Sequence, residues 1–410
     1  MKHIVLITSG QPTTNPRMVK EADALSAAGY RVTVLHCYWN SWATRADVEM
    51  MENKPWQRIC IGGDPHNRKV AYFTSKLCFW AAKKLSQRSF KLPIRQYALS
   101  RATLPLVRAA KQMPADLYIA HNLAALPAAV AAARAHQAIA GFDAEDYHRH
   151  ETKSSSFSWE YKLKVMLEDQ YIPMLDYIST SSEGIAARYQ MHYQRSPMVI
   201  RNVLPAVRQC HKNLVHLAAA PIKLFWFSQT IGPNRGLELV IESLRYLQPA
   251  KFELHLLGEL KTGYTSKLVD LALKNGLKVN KLNFHRPLPA DQLFEFCGTF
   301  DVGLAPEPAY CQNNDLALSN KLFTYIQSGL AVLLSDTSAQ QAFYNEHQQI
   351  GKCYQKDDAR DLARWIQFYI DHPEELMHTK VSNYKLGQRS LNWETESKLF
   401  LNKIKLTLHE

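Results

Sequence analysis

Residues 3–36 read HIVLITSGQPTTNPRMVKEADALSAAGYRVTVLH. His3 to Thr8 is an apolar run of strand length. Asn15 followed by Pro16 supplies a helix N-cap and a proline at the first helical position. Met18, Val19, Ala22, Leu25 and Ala28 then recur at helical spacing, and Gly29 stops the helix. Arg31 to His36 is a second β-branched run. A strand, a helix and a second strand at this spacing predict a parallel pair joined by a right-handed crossover.

The alternation continues. Strands are expected at Leu117–Ala120, Ala138–Phe142, Tyr177–Thr180 and Met198–Arg201. Helices are expected at Leu123–His136, Trp159–Gln170 and Gly184–Tyr193. Residues 206–221 lose the period and read as a linker. The alternation restarts with strands at Lys223–Phe227, Phe252–Leu257, Leu282–His285, Val302–Ala305 and Ala331–Leu334. Helices intervene at Leu237–Leu247, Gln292–Cys297, Lys321–Ser328 and Arg360–Tyr369, and a closing helix follows Leu391. Two successive arrays of this kind predict two doubly wound α/β domains facing a cleft, 1–205 and 222–385, with 386–410 as the closing segment.

A chain of 410 residues, 46% hydrophobic and 21% charged, has room for about two to three domains and is not a disordered polymer. The net charge of +12 points to an acidic partner. Seven scattered cysteines without a C-x-x-C pair exclude a cysteine-built zinc site and read as reduced thiols. The N-terminal apolar run is too short for a signal peptide, and no stretch is long and apolar enough to span a membrane. A cytoplasmic protein is the expectation. Dinucleotide, P-loop and H-E-x-x-H fingerprints are absent.

Two segments carry chemistry. Leu318–Val332, LSNKLFTYIQSGLAV, reads as a capped helix with a glycine stop and a strand after it. Ser319 or Asn320 caps it, and Lys321 stands in the first turn. A cation there opposes the helix dipole unless an anion lies between them, so the pattern suits a phosphate. Phe227–Glu238, FSQTIGPNRGLE, follows the first strand of the second half and places Arg235 and Gly236 where open sheets bind ligands.

These two segments together resemble the donor-binding half of retaining glycosyltransferases of family 4, which have the GT-B fold. Arg235-Gly236 is similar to the basic residue and glycine that bind the donor diphosphate. Ser319–Val332 is similar to the stretch holding phosphate and ribose, which implies roles for Ser319, Asn320, Lys321 and Thr324. Asp301–Pro306 resembles the preceding strand, and Trp393-Glu394 the start of the closing helix. In the first half, Ser9-Gly10 and Arg17 resemble the loop beneath the donor phosphates. Asp116–His121 resembles the segment whose histidine sits by the transferred sugar. Phe142–Asp146 resembles the family's D-x-H-[ED] segment, and Arg201–Val203 the turn before the linker.

The resemblance implies a metal-independent transferase that needs no cofactor beyond its nucleotide-sugar substrate, a UDP- or GDP-sugar. It implies catalytic roles for His121, Arg235 and Lys321, with Thr324 offering the ribose a hydroxyl. Three positions depart from the pattern. Gln229 replaces a second phosphate-binding arginine, Thr324 replaces the ribose-binding glutamate, and Glu307 is the nearest candidate for the remaining acid. A binding protein that has lost transfer, or a sugar epimerase of the same fold, are the rival readings.

Asp143, Glu145, Asp146, His148, His150 and Glu151 can be drawn as a metal cluster, but a solvated strand-end loop accounts for them. From Pro65 to Ala115 there are eleven Lys or Arg and no acid, interleaved with aromatics. As a helix interrupted by Pro93, this segment groups Lys76, Lys83, Lys84, Arg88, Lys91 and Arg95 on one broad arc. A glycan or lipid-linked acceptor at an anionic membrane surface is the expected partner, with peripheral attachment to the inner face. Nucleic acid is not expected.

Overall fold

The computed structural model describes residues 1–153, 157–206, 220–261, 263–288 and 290–410. The chain divides into two compact units, Met1–Ile200 with Ser397–Glu410, and Arg201–Glu396. Residues 207–219, most of the segment read as a linker, lie outside the described residues.

In the first unit the apolar runs become β1 (His3–Thr8), β2 (Arg31–Cys37), β3 (Gln57–Ile61), β4 (Leu117–His121), β5 (Ile139–Ala144), β6 (Tyr177–Thr180) and β7 (Met198–Val199). They form a parallel sheet in the order β3-β2-β1-β4-β5-β6-β7. The helices between them are α1 (Pro16–Ala27), α2 (Ser41–Met51), α3 (Lys69–Arg88), α4 (Thr103–Ala110), α5 (Leu126–His136), α6 (Trp159–Tyr171) and α7 (Glu183–Tyr193). The Asn15 side chain caps α1 by accepting the Met18 N–H at 3.0 Å. β1 is buried along its whole length, as expected of a central parallel strand. α3 ends at Arg88, before Pro93, so Lys91 and Arg95 leave the helical arc expected for them; Arg95 instead donates to the Phe90 carbonyl.

The second unit holds β8 (Ile222–Ile231), β9 (Phe252–Leu260), β10 (Leu282–His285), β11 (Val302–Ala305), β12 (Ala331–Ser335) and β13 (Gly351–Tyr354). Their order is β10-β9-β8-β11-β12-β13, again parallel. The helices are α8 (Leu237–Leu244), α9 (Tyr264–Lys274), α10 (Ala290–Cys297), α11 (Gln312–Leu316), α12 (Asn320–Gln327), α13 (Ser338–Glu346), α14 (Ala359–Asp371), α15 (Pro373–Arg389) and α16 (Trp393–Thr407). Leu224, Trp226, Val240, Ile241, Leu304 and Ile366 belong to one buried core between this sheet and its helices. Residue 386 falls inside α15, and the closing helix α16 begins in the second unit and ends in the first.

Gly303 on β11 has a packing reason. A Cβ there would lie 2.2 Å from the Tyr325 ring, so only glycine lets α12 settle on the sheet. The Tyr325 hydroxyl then donates to the Leu304 carbonyl at 3.1 Å.

Candidate functional site

In each sheet the strand order reverses beside the first strand of its unit, between β1 and β4 and between β8 and β11. Open α/β sheets bind ligands beyond the carboxyl ends of the strands at such points. The expected site residues gather at both.

In the second unit, β8 runs into a turn that ends at Gly236, the cap of α8. Gly236 has φ +73°, and a Cβ would meet the Pro306 carbonyl oxygen at 1.8 Å. The turn after β8 is thereby pressed against the turn after β11, and Arg235 is brought beside Glu307. Arg235 is half-buried and forms no ion pair or hydrogen bond among the described residues. On the other side, Ser319 caps α12 by accepting the Lys321 N–H at 3.3 Å. Asn320, the first residue of α12, is exposed.

Lys321 is buried, not solvent-facing. Its ammonium lies 2.9 Å from Glu307 Oε1, with the Trp226 ring 6.0 Å away. Asn314 donates to the other carboxylate oxygen at 3.1 Å, and Ser335 to the Glu307 carbonyl at 2.7 Å. Burial would raise the Glu307 carboxyl, but Lys321, Asn314 and Arg235 outweigh it and hold it below its ordinary value. Glu307 is therefore a buttress for Lys321, a link invisible in a sequence where they stand fourteen residues apart.

Thr324 corrects the reading of its hydroxyl as a ribose contact. It is 1% exposed, and the hydroxyl donates to the Asn320 carbonyl at 3.0 Å inside the helix. Gln229 is exposed.

In the first unit, register sets the site. Thr8 pairs with His121, His121 with Asp143, and Asp143 with Ser179, so four polar residues share one rung across β1, β4, β5 and β6. The Asn122 side chain ties the neighbouring loops, accepting from the Ser9 hydroxyl at 2.9 Å and donating to Thr8 at 3.0 Å. The Gly10 N–H points to Thr8 Oγ1 at 3.3 Å.

Arg17 corrects another expectation. It is no phosphate-loop residue, for it is 1% exposed and its guanidinium is committed internally. It donates to both Asp143 oxygens at 2.6 and 2.9 Å and to the Ile200 carbonyl at 2.5 Å, with Glu21 at 3.6 Å. His121, also 1% exposed, sits between Glu21 and Asp143, each 3.3 Å from a ring nitrogen. Burial opposes its charge, but the two carboxylates raise the imidazole to about 9. Burial likewise works against the Asp143 carboxylate, and Arg17 and His121 overcome it, holding the group well below the usual range.

Glu21, His121 and Asp143 stand close enough to share a metal ion. Arg17, however, already holds both Asp143 oxygens, and His121 lies between Asp143 and Glu21. A divalent ion bound there would have to displace a bidentate guanidinium from Asp143.

His121 lines a cavity of about 320 Å³ together with Ser9, Asn122, Asp143, Glu145 and Glu160. The loop read as solvated is largely internal. His148 and Arg149 are buried, His148 pairs with Glu151, Arg149 with Glu168, and Lys164 reaches Glu151 at 2.6 Å. Burial, then Asp146, pushes the Glu145 carboxyl up to about 7.

Residues 235–389 match a family model described as glycosyl transferase-like. No curated protein matches the chain. Anabaena HepE in complex with UDP is 14% identical with a TM-score of 0.70, over 99% of this chain and 100% of its own. Sucrose-phosphate synthase from Thermosynechococcus elongatus is 14% identical with a TM-score of 0.66, over 100% and 99%. WaaG, a glycosyltransferase involved in lipopolysaccharide biosynthesis, is 14% identical with a TM-score of 0.61, over 97% and 98%. The fold is thus the GT-B fold of these structures, built from two parallel-sheet α/β units.

Proposed function

We propose that the chain is a nucleotide-sugar-dependent glycosyltransferase of the family 4 type. It moves a sugar from a UDP- or GDP-sugar to a glycan or lipid-linked acceptor, with retention of configuration and without a metal ion. The observation that carries this reading is the cationic pair of Arg235, in the turn beyond β8, and Lys321, in the first turn of α12, with Glu307 of the turn beyond β11 beside them. The match of residues 235–389 to a glycosyl transferase-like model covers the same elements. HepE is known with UDP and with UDP-glucose bound, which favours a uridine donor.

Breaking the anomeric C–O bond leaves negative charge on the diphosphate. Groups that fit this charge better than the ground state lower the barrier. Arg235 offers an uncommitted guanidinium. Lys321 spends one N–H on Glu307 and keeps two for phosphate oxygens. The N-terminal turns of α8 and α12 add the positive ends of two helix dipoles. Two fixed cations here supply the stabilisation that a metal ion gives elsewhere. His121, clamped between Glu21 and Asp143 with both ring nitrogens facing carboxylates, forms a rigid part of the wall of the first unit's cavity and shapes the place of a sugar there. The enzyme works in the cytoplasm, at the inner membrane face that residues 65–115 address, in building a polysaccharide or a lipid-linked glycan.

Calorimetry with UDP and GDP, followed by release of free nucleotide from the matching sugar donor, tests the proposal. Failure of both nucleoside diphosphates to bind would refute it. A non-catalytic nucleotide binder is the second reading, favoured by Thr324, whose buried hydroxyl cannot replace a ribose-binding carboxylate. Binding with no turnover on any sugar donor would select it.

A further inference from the structure

Helix α3 buries small residues and exposes large ones. Its fully buried residues are Ser75, Ala82 and Ser86, with Tyr72 and Phe79 half-buried beside them. Four of its large apolar side chains point the other way: Val70 is 82% exposed, Phe73 59%, Leu77 64% and Trp80 59%. Spacings of three, four and three residues place these four on one arc of about 80°, nearly opposite the buried face. A helix stabilised only by its own unit would bury such residues and expose the serines.

Charge accompanies the stripe. Lys69, Lys76 and Lys83 run along one flank, and Lys84 and Arg88 extend its end. No acid occurs in α3, nor anywhere from Pro65 to Ala115. The Tyr38 ring packs edge-on against Tyr72 of α3, at 6.0 Å between centroids. Nearby in the chain, Trp39 and Trp42 are 69% and 50% exposed. No helix among the described residues is long and apolar enough to cross a membrane.

We propose that α3 lies in the interface of an anionic bilayer, with Val70, Phe73, Leu77 and Trp80 inserted between the lipids and its basic residues among the headgroups. An apolar stripe with aromatic members, edged by lysines, is the pattern of a helix that lies in the membrane plane. The acid-free flank selects a negatively charged surface over an acidic or neutral protein groove, since each basic side chain near such a surface adds attraction within a Debye length of about 8 Å. The inference deepens the reading of a membrane-presented acceptor and rests on it for its purpose. Its test is independent of transfer.

The full chain is mixed with vesicles of phosphatidylcholine alone, or with phosphatidylglycerol added, and bound protein is measured by co-sedimentation. Binding to the phosphatidylglycerol vesicles at low salt is expected, weakened by raised salt and accompanied by a blue shift of tryptophan emission. Phe73→Ser, Leu77→Ser and Trp80→Ser combined should lower the partition coefficient at least tenfold. Lys69→Gln, Lys76→Gln, Lys84→Gln and Arg88→Gln combined should abolish the preference for anionic vesicles. Because all these side chains face outward, unchanged thermal midpoints and unchanged nucleoside diphosphate affinity are expected in both variants. No binding by the unmodified protein, or undiminished binding by the serine variant, overturns the inference. So does a dimer that the serine variant dissociates, since the stripe would then be covered by a second copy. Loss of nucleotide binding with vesicle binding intact would remove the transferase reading and leave this one standing.

Discussion

Replacing His121 by glutamine should change how stability depends on pH, and the amount follows from its surroundings. The imidazole is raised from 6.5 to about 9 by Glu21 and Asp143 against the cost of burial. At 1.36 kcal/mol per unit this corresponds to about 3 kcal/mol of folded-state stabilisation. The sign follows from the direction of the shift. The folded protein binds this proton more tightly than the unfolded chain, so the contribution is complete below pH 6.5 and is lost as pH rises through about 9. Glutamine carries no charge and contributes none of it. Urea unfolding followed by tryptophan emission, on both proteins at pH 6 and pH 10, isolates the effect as a difference of differences. The gap between wild type and His121→Gln should be about 3 kcal/mol at pH 6 and should shrink to below about 1 kcal/mol at pH 10. A gap that stays constant across this range would show that His121 is not protonated in the folded state, and the charge matching around Arg17 would fail with it.

Arg235→Ala should weaken nucleoside diphosphate binding by about 1.5–3 kcal/mol in calorimetry while changing the thermal midpoint little, because the guanidinium makes no hydrogen bond or ion pair among the described residues and Lys321 still faces Glu307. Lys321→Ala should also weaken binding, but it leaves Glu307 buried without its cation and should cost about 3–5 kcal/mol of stability; adding Glu307→Gln should restore most of the stability and none of the affinity. Gly236→Ala forces a Cβ into the Pro306 carbonyl and should lower both stability and nucleotide affinity, read by thermal melting and calorimetry. Prolonged treatment with EDTA should leave nucleotide release from the sugar donor unchanged.

The strands and helices with plain periodicity were legible. His3–Thr8, Arg31–His36, Tyr177–Thr180, Leu282–His285 and Val302–Ala305 are strands within a residue of the expected bounds, and Ser319 caps α12. Elements without a clean apolar face were not. α2 turns Trp42 and Val48 outward, β3 is an edge strand of mixed polarity, and α15 buries Thr379, Lys380 and Asn383 beside Leu376 and Tyr384. Polar burial of this kind imitates a surface helix in sequence. The site was legible as residue types and not as partnerships. Arg17 and Asp143 lie 126 positions apart, and only the pairing of β4 with β5 puts Asp143 beside His121. A local reading therefore assigned Arg17 to a ligand when its partners were internal.

The path of α16 bears on how the polypeptide comes to be folded in the cell. The first unit includes Ser397–Glu410, and the Tyr30 hydroxyl donates to the Glu410 carboxylate at 2.7 Å. A ribosome synthesising this protein delivers residues 1–200 of the first unit before the second unit and residues 397–410 only after it. Domains usually fold in order as they emerge, but here the amino-terminal unit stays unfinished until the whole second unit has been translated. Until then the surface of the first unit that receives the end of α16 stays uncovered. A gene fragment ending between the two sheets would lack residues 397–410 and leave the first unit incomplete, whereas residues 201–410 would retain the whole of the second unit.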